Sequence, residues 1–130
     1  MKVIDGKNAV MGRLASYVAK EALKGEEIVI LNCKDVIITG NKQNIQEEFR
    51  AERSRMGHGM RGPKHLKVSD RIVKRVIRGM LPEHRWGRGR EAMERIKCYV
   101  GVPKEFENAK KIVSGKVKGT KFSRVEEFTK

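Results

Sequence analysis

The chain has no run approaching the roughly 18 consecutive apolar residues that a membrane-crossing helix requires. Its opening, Met1-Lys2-Val3-Ile4-Asp5, also lacks the apolar stretch of a secretory signal. Neither secretion nor membrane insertion is expected, and the expected compartment is the cytoplasm. Only two cysteines are present, Cys33 and Cys98, too far apart for the paired spacing of a metal or dithiol motif. The plain reading is a reduced protein with two buried thiols, and the alternative is one disulfide between them. His58, His65 and His84 complete no finger or ribbon pattern with those cysteines, so no metal and no cofactor is expected. No local serine, histidine and acid arrangement offers a nucleophile with its base, which argues against an enzyme and against a small-molecule substrate. Internal repeats and long linkers are also missing, and residues 1–130 are expected to form one domain.

Acidic residues are scarce, but only in one part of the chain. Thirty Lys and Arg stand against 16 Asp and Glu, a formal charge of +14. Residues 1–49 carry seven basic and seven acidic side chains, whereas residues 50–97 carry fifteen basic and five acidic, and residues 98–130 eight and four. A neutral scaffold with one strongly positive segment is the footprint of a phosphate-binding face, because self-repulsion of this kind is relieved by a polyanion. The 38% hydrophobic content, arranged in alternating apolar stretches, favours a globular fold over a disordered basic chain.

Hydrophobic periodicity organises the first half. Val3-Ile4 reads as a short strand, followed by the turn residues Asp5-Gly6-Lys7-Asn8. Leu14, Ala15, Val18, Ala19, Ala22 and Leu23 repeat at the spacing of one helical face, and Gly25 stands where a C-terminal glycine cap belongs. The uninterrupted aliphatic runs Ile28–Leu31 and Val36–Thr39 suit strands covered on both faces. Strand, helix and buried strand in alternation predict an α/β fold, a small open, mainly parallel sheet with helices on both faces.

Further along, a polar helix is expected over Gln43–Arg53, anchored by Ile45 and Phe49, and a loop over residues 54–68. Ser69 is placed to cap a helix whose buried face is Ile72, Val73, Val76, Ile77, Met80 and Leu81, ending at Pro82. A helix over Arg90–Lys97, with Glu91 and Arg95 at i, i+4, and a strand Cys98–Val102 complete the reading. The tail beyond has no clear period.

The basic segment supplies the functional signal. Arg53, Arg55, Arg61, Lys64, Arg85, Arg88 and Arg90 lie in or beside glycine-rich stretches, where backbone approaches a nucleic acid closely and guanidinium forks meet phosphate oxygens. Such loops suit irregular RNA better than a duplex groove. His58, His65 and Trp86 add planar groups able to stack on unpaired bases, although core packing is an equal alternative for Trp86. Arg71, Lys74, Arg75 and Arg78 form a stripe opposite the buried face of their helix. No acid occurs from Arg71 to Leu81 to pair with them, which favours phosphate over a merely wet face.

Two weaker patterns compete. Gly57-His58-Gly59-Met60-Arg61-Gly62 matches the dinucleotide-binding glycine spacing, but a polar helix precedes it where that fingerprint needs a strand. Thr39-Gly40-Asn41-Lys42 follows a strand and opens a helix, an arrangement able to hold an anion, though a turn with a helix cap is the simpler reading. A DNA-binding regulator is the remaining rival and would need a helix that enters a major groove.

Several stretches together resemble the universal large-subunit ribosomal protein thirteen family. They are Val3-Ile4-Asp5-Gly6, Gly12-Arg13-Leu14-Ala15-Ser16, Val29-Ile30-Leu31-Asn32, Ile37-Ile38-Thr39-Gly40, Gly87-Arg88, Tyr99-Val100-Gly101 and, most specific, Val76-Ile77-Arg78-Gly79-Met80-Leu81-Pro82. The resemblance implies a mostly parallel four-stranded sheet, binding to large-subunit ribosomal RNA beside neighbouring ribosomal proteins, and a part in early subunit assembly. It also implies RNA contacts at Arg13, Arg78, Arg85, Arg88 and around His58–Lys64. Gly25 runs directly into Glu26-Glu27-Ile28, without the insertion of bacterial forms, and the chain stops at Lys130 without the basic extension of eukaryotic ones. Both features point to the archaeal type.

Overall fold

The computed structural model describes residues 1–55, 59, 64–114 and 120–129. Four strands, β1 (Lys2–Asp5), β2 (Ile28–Leu31), β4 (Ile96–Cys98) and β5 (Lys111–Val113), form one sheet in the order β4-β2-β1-β5. All its pairings are parallel, with Val3 opposite Val29 and Lys111, and Ile30 opposite Cys98. The α/β class and the four-stranded parallel sheet are as expected, but the membership differs. The run at Val36–Thr39 supplies β3 (Ile37–Thr39), which pairs antiparallel with β6 (Phe122–Arg124) in a separate two-stranded sheet. Its place in the parallel sheet is taken by β5.

Alternation along the strands sends side chains to two faces. Ile4, Ile28, Ile30 and Ile96 point to one face and are fully buried there. Helix α1 (Met11–Leu23) covers them through Leu14, Ala15, Val18, Ala19 and Ala22, joined by Val73 and Ile77 of α3 (Ser69–Met80) and Ala92 of α4 (Gly87–Glu94). The opposite face, Val3, Val29 and Leu31, is covered by Tyr99, Val102, Phe106 and Ala109, in a connection whose only helical feature among the described residues is the 3-10 turn Lys104–Phe106. The expected helical cover on this second face is therefore a looser one.

Connection handedness explains the difference. The chain moves in one direction across the sheet from β1 to β2 to β4, and right-handed crossovers place α1, α3 and α4 on the same face. The return from β4 to β5 runs the other way and must cross the opposite face. That connection, residues 99–110, turns once at Lys104–Phe106 and closes with the Tyr99 and Phe106 rings 5.9 Å apart.

Local chemistry sets the ends of the elements. Gly25 takes φ +99° after α1, a conformation that favours glycine and ends the helix as expected. Helix α2 (Lys42–Ser54) starts at Asn41, whose side chain accepts the Gln43 N–H at 3.1 Å, and Lys42 pairs with Glu127 at 3.3 Å. The Thr39–Lys42 stretch is thus a capped turn. Phe49 of α2 packs edge-on against Phe128 of α5 (Val125–Thr129) at 4.9 Å. Ser69 does not cap α3. It is buried within the first turn, Val68 occupies the cap position, and Asp70 accepts the Arg71 N–H at 2.6 Å. Helix α4 begins and ends three residues earlier than the periodicity suggests, which releases Ile96–Cys98 for β4. No helix among the described residues is long and apolar enough to cross a membrane.

Candidate nucleic-acid interface

Helix α3 is the element that builds the site. Its buried positions Val73 and Ile77 lock one side into the core, which turns Arg71, Lys74, Arg75 and Arg78 outward. These four, with Lys64, Leu66 and Met93, line an open groove of about 330 Å³ between α3, the segment before it and α4. Leu66 and Met93 give the groove an apolar floor beneath five cations. Arg75 also ties two walls together, because its guanidinium donates to the Lys64 carbonyl at 2.9 Å.

A second open groove, of about 340 Å³, continues on the other side of the stripe and is lined by Asp70, Arg71, Lys74, Lys97, Cys98 and Tyr99. Arg71 and Lys74 stand between the two, so the positive surface is continuous. Lys97 was not among the expected site residues. It occupies an exposed position of β4, and assigning it to the end of a helix concealed that it shares a groove with α3.

The remaining expected residues fall around this centre. Arg85, Trp86 and Arg88 are exposed where the chain passes from α3 into α4. Trp86 is 67% exposed, which removes the core-packing alternative. The bend beneath it is tight: a Cβ on Gly89 would lie 2.4 Å from the Glu83 carbonyl oxygen and 2.5 Å from that of Pro82. Arg90 is exposed but paired with Glu94 at 3.1 Å. Arg53 sits over the Phe49 ring at 5.6 Å, and Arg55 follows the end of α2 in the open. Arg13 is exposed on α1 and lines neither groove. His58 and Arg61 lie outside the described residues, as does most of the Gly57–Gly62 glycine pattern. The element before that pattern is helix α2, where a dinucleotide fingerprint requires a strand.

Charge pairing separates these cations from those of the scaffold. Lys2 and Lys24 both hold Glu21, the latter at 2.7 Å, and their hydrogen bonds lower its carboxyl to about 2. Among the described residues, Arg71, Lys74, Arg75 and Arg78 have no carboxylate within ion-pair distance, whereas two of the expected residues do, Arg90 and the half-buried His65, whose Nδ1 lies 3.6 Å from Glu52. Four unpaired cations at helical spacing over an apolar floor make a surface complementary to a run of phosphates.

Residues 1–105 match the family model described as ribosomal protein L13. The chain is 46% identical over 133 residues to the large ribosomal subunit protein uL13 of Methanocaldococcus jannaschii, covering 100% of this chain and 96% of that one. It is 44% identical over 125 residues to the protein of the same name from Methanococcoides burtonii, covering 96% and 86%. With that of Methanococcus maripaludis the identity is 50% over 106 residues, covering 79% and 77%.

Proposed function

The chain belongs to the ribosomal protein L13 family, and from that premise we propose that it is a structural constituent of the large ribosomal subunit that binds large-subunit ribosomal RNA and contributes to early assembly. Its work is binding rather than catalysis. The 1–130 chain acts as one domain, in which the neutral α/β half serves as a rigid platform. Phosphates lie against Lys64, Arg71, Lys74, Arg75 and Arg78. Arg85, Trp86, Arg88 and Arg90 reach an adjacent strand, where Trp86 stacks on an unpaired base. Arg13, Arg53, Arg55, His58 and Arg61 extend the contacts, and neighbouring large-subunit proteins complete the surroundings within the ribosome.

The observation that carries this reading is the acid-free cationic stripe of α3 lining an open groove, with Arg75 bonded to backbone rather than to a carboxylate. Co-sedimentation tests it. The protein is expected to travel with the large subunit or its precursor particles at low salt and to be released as salt rises, because each phosphate contact returns counterions. Gel shifts should favour structured ribosomal RNA over duplex DNA of equal charge. Equal retention of both, or no association with large-subunit particles, would overturn the assignment.

A further inference from the structure

Cys33 and Cys98 have no part in phosphate binding, yet the fold brings them together from the two ends of the segment that carries the basic site. Cys33 opens the 3-10 turn Cys33–Asp35 that follows β2, and Cys98 ends β4 directly opposite Ile30 of β2. The backbones are tied at this point. Tyr99 N–H donates to the Ile30 carbonyl at 2.9 Å, and Cys33 N–H donates to the Tyr99 carbonyl at 3.1 Å. The Cys33 thiol itself lies 3.9 Å from that Ile30 carbonyl. Both side chains join the same core cluster, beneath α3. Hydrogen bonding to the Cys98 thiol, and then burial, push the Cys33 thiol above its ordinary range. The strand pairing, the two backbone bonds and the shared core cluster make the two cysteines neighbours, and both are free thiols.

Access to them is unequal. Cys33 is fully buried, whereas Cys98 is half-buried and lines the second groove next to Arg71 and Lys74. A polar oxidant reaches Cys98 and cannot reach Cys33. We propose that Cys33 and Cys98 are a redox pair that a hydroperoxide converts into an intramolecular disulfide, with Cys98 oxidised first and Cys33 as the resolving thiol. In the first step the Cys98 sulfur displaces water from the hydroperoxide (an alcohol, if the peroxide is organic) and becomes a sulfenic acid. In the second, the Cys33 sulfur attacks the Cys98 sulfur, the S–O bond breaks, and the Cys33 proton leaves with the hydroxyl as water. Two thiols are oxidised and one peroxide is reduced. Proximity within the fold offsets the protonated state of Cys33, since attack is intramolecular. The bridge pins β4 to the turn after β2, directly under the first turn of α3, and closes a covalent loop containing α2, α3 and α4.

The test treats the full-length protein with hydrogen peroxide at low molar excess, alkylates it after unfolding and maps the cysteine peptides. A Cys33–Cys98 crosslink within a monomer is expected, with both thiols lost together and restored by dithiothreitol. The thermal midpoint should rise by at least about 5 °C on oxidation, as closing so long a loop restricts the unfolded chain. Cys98→Ser should leave Cys33 fully alkylatable and abolish the rise. Cys33→Ala should let a dimedone-reactive sulfenic acid persist at Cys98; Cys98→Ser, at the more exposed position, keeps the test decisive if that variant misfolds. Over-oxidation of Cys98 with Cys33 still alkylatable, or a disulfide between two copies, would refute the pair.

Discussion

Replacing Arg71, Lys74 and Arg78 together with Gln removes three of the five cations around the groove between α3 and α4, while keeping polar side chains with methylene stems. None of the three is held in an ion pair within the described residues, so the substitution breaks no internal bridge. If each neutralises one phosphate, the slope of log affinity against log salt becomes shallower by about 2.1–2.7. The same counterion arithmetic gives an affinity loss at 0.1 M salt of about two to nearly three orders of magnitude, or about 3–4 kcal/mol. Fluorescence anisotropy with a fragment of large-subunit ribosomal RNA, titrated at four or five salt concentrations, measures both quantities. Circular dichroism and the thermal midpoint should stay close to those of the parent, because the buried positions of α3 are untouched. Lys20→Gln, on the exposed face of α1, is the matched control and should leave the slope unchanged. A triple variant with the parental slope would take the α3 stripe out of the interface, and the reasoning from unpaired charge would fail with it.

Four other outcomes follow from the packing, the ion pairs and the backbone. Ile77→Ala empties a fully buried position where α3 meets α1 and should cost about 2–5 kcal/mol in urea unfolding; a loss below 1 kcal/mol would mean that α3 is not anchored as described. Glu21 has a folded-state pKa of about 2 against an ordinary 4.5, set first by Lys2 and then by Lys24. Its contribution is complete above the ordinary value and is lost as pH falls through the interval toward 2, so Glu21→Gln should flatten the thermal midpoint's pH dependence in that window, and parallel curves would contradict the pairing. Gly89→Ala forces a Cβ against two backbone carbonyls and should destabilise by about 1–3 kcal/mol while weakening RNA binding through the displaced Trp86 bend. Gly79→Ala, where a Cβ meets nothing within 4 Å, should stabilise α3 by about 0.5–1 kcal/mol in the same unfolding assay.

What could be read from sequence tracks how local each determinant is. Helix α1 and its Gly25 stop, strand β2 and the two-sided pattern of α3 follow from spacings of a few residues and stand where the periodicity puts them, except that Met80, expected on the buried face of α3, is exposed at the end of the helix. Strand β5 is only Lys111-Ile112-Val113, too short to display alternation, and it exists because β1 offers an unpaired edge. Val36–Thr39 carries the composition of a buried parallel strand, yet β3 finds its partner in Phe122–Arg124, which no local signal announces. The same division holds in the candidate site. The α3 stripe is visible as i, i+3, i+4 spacing with no acids. The contribution of Lys97, Leu66 and Met93 depends on which elements become neighbours.

The order β4-β2-β1-β5 has a consequence for how the chain reaches this shape during synthesis. Val3 at the start of the chain pairs with Lys111, close to its other end, whereas its pairing with Val29 is available early. The ribosome therefore releases β1, α1 and β2 as a nascent unit long before β5 exists. Until then one side of β1 presents unsatisfied amides and carbonyls, beside aliphatic side chains that nothing yet covers. The step that seals the four-stranded sheet is thus a late, long-range closure, and the emerging chain is most exposed to mispairing just before β5 arrives.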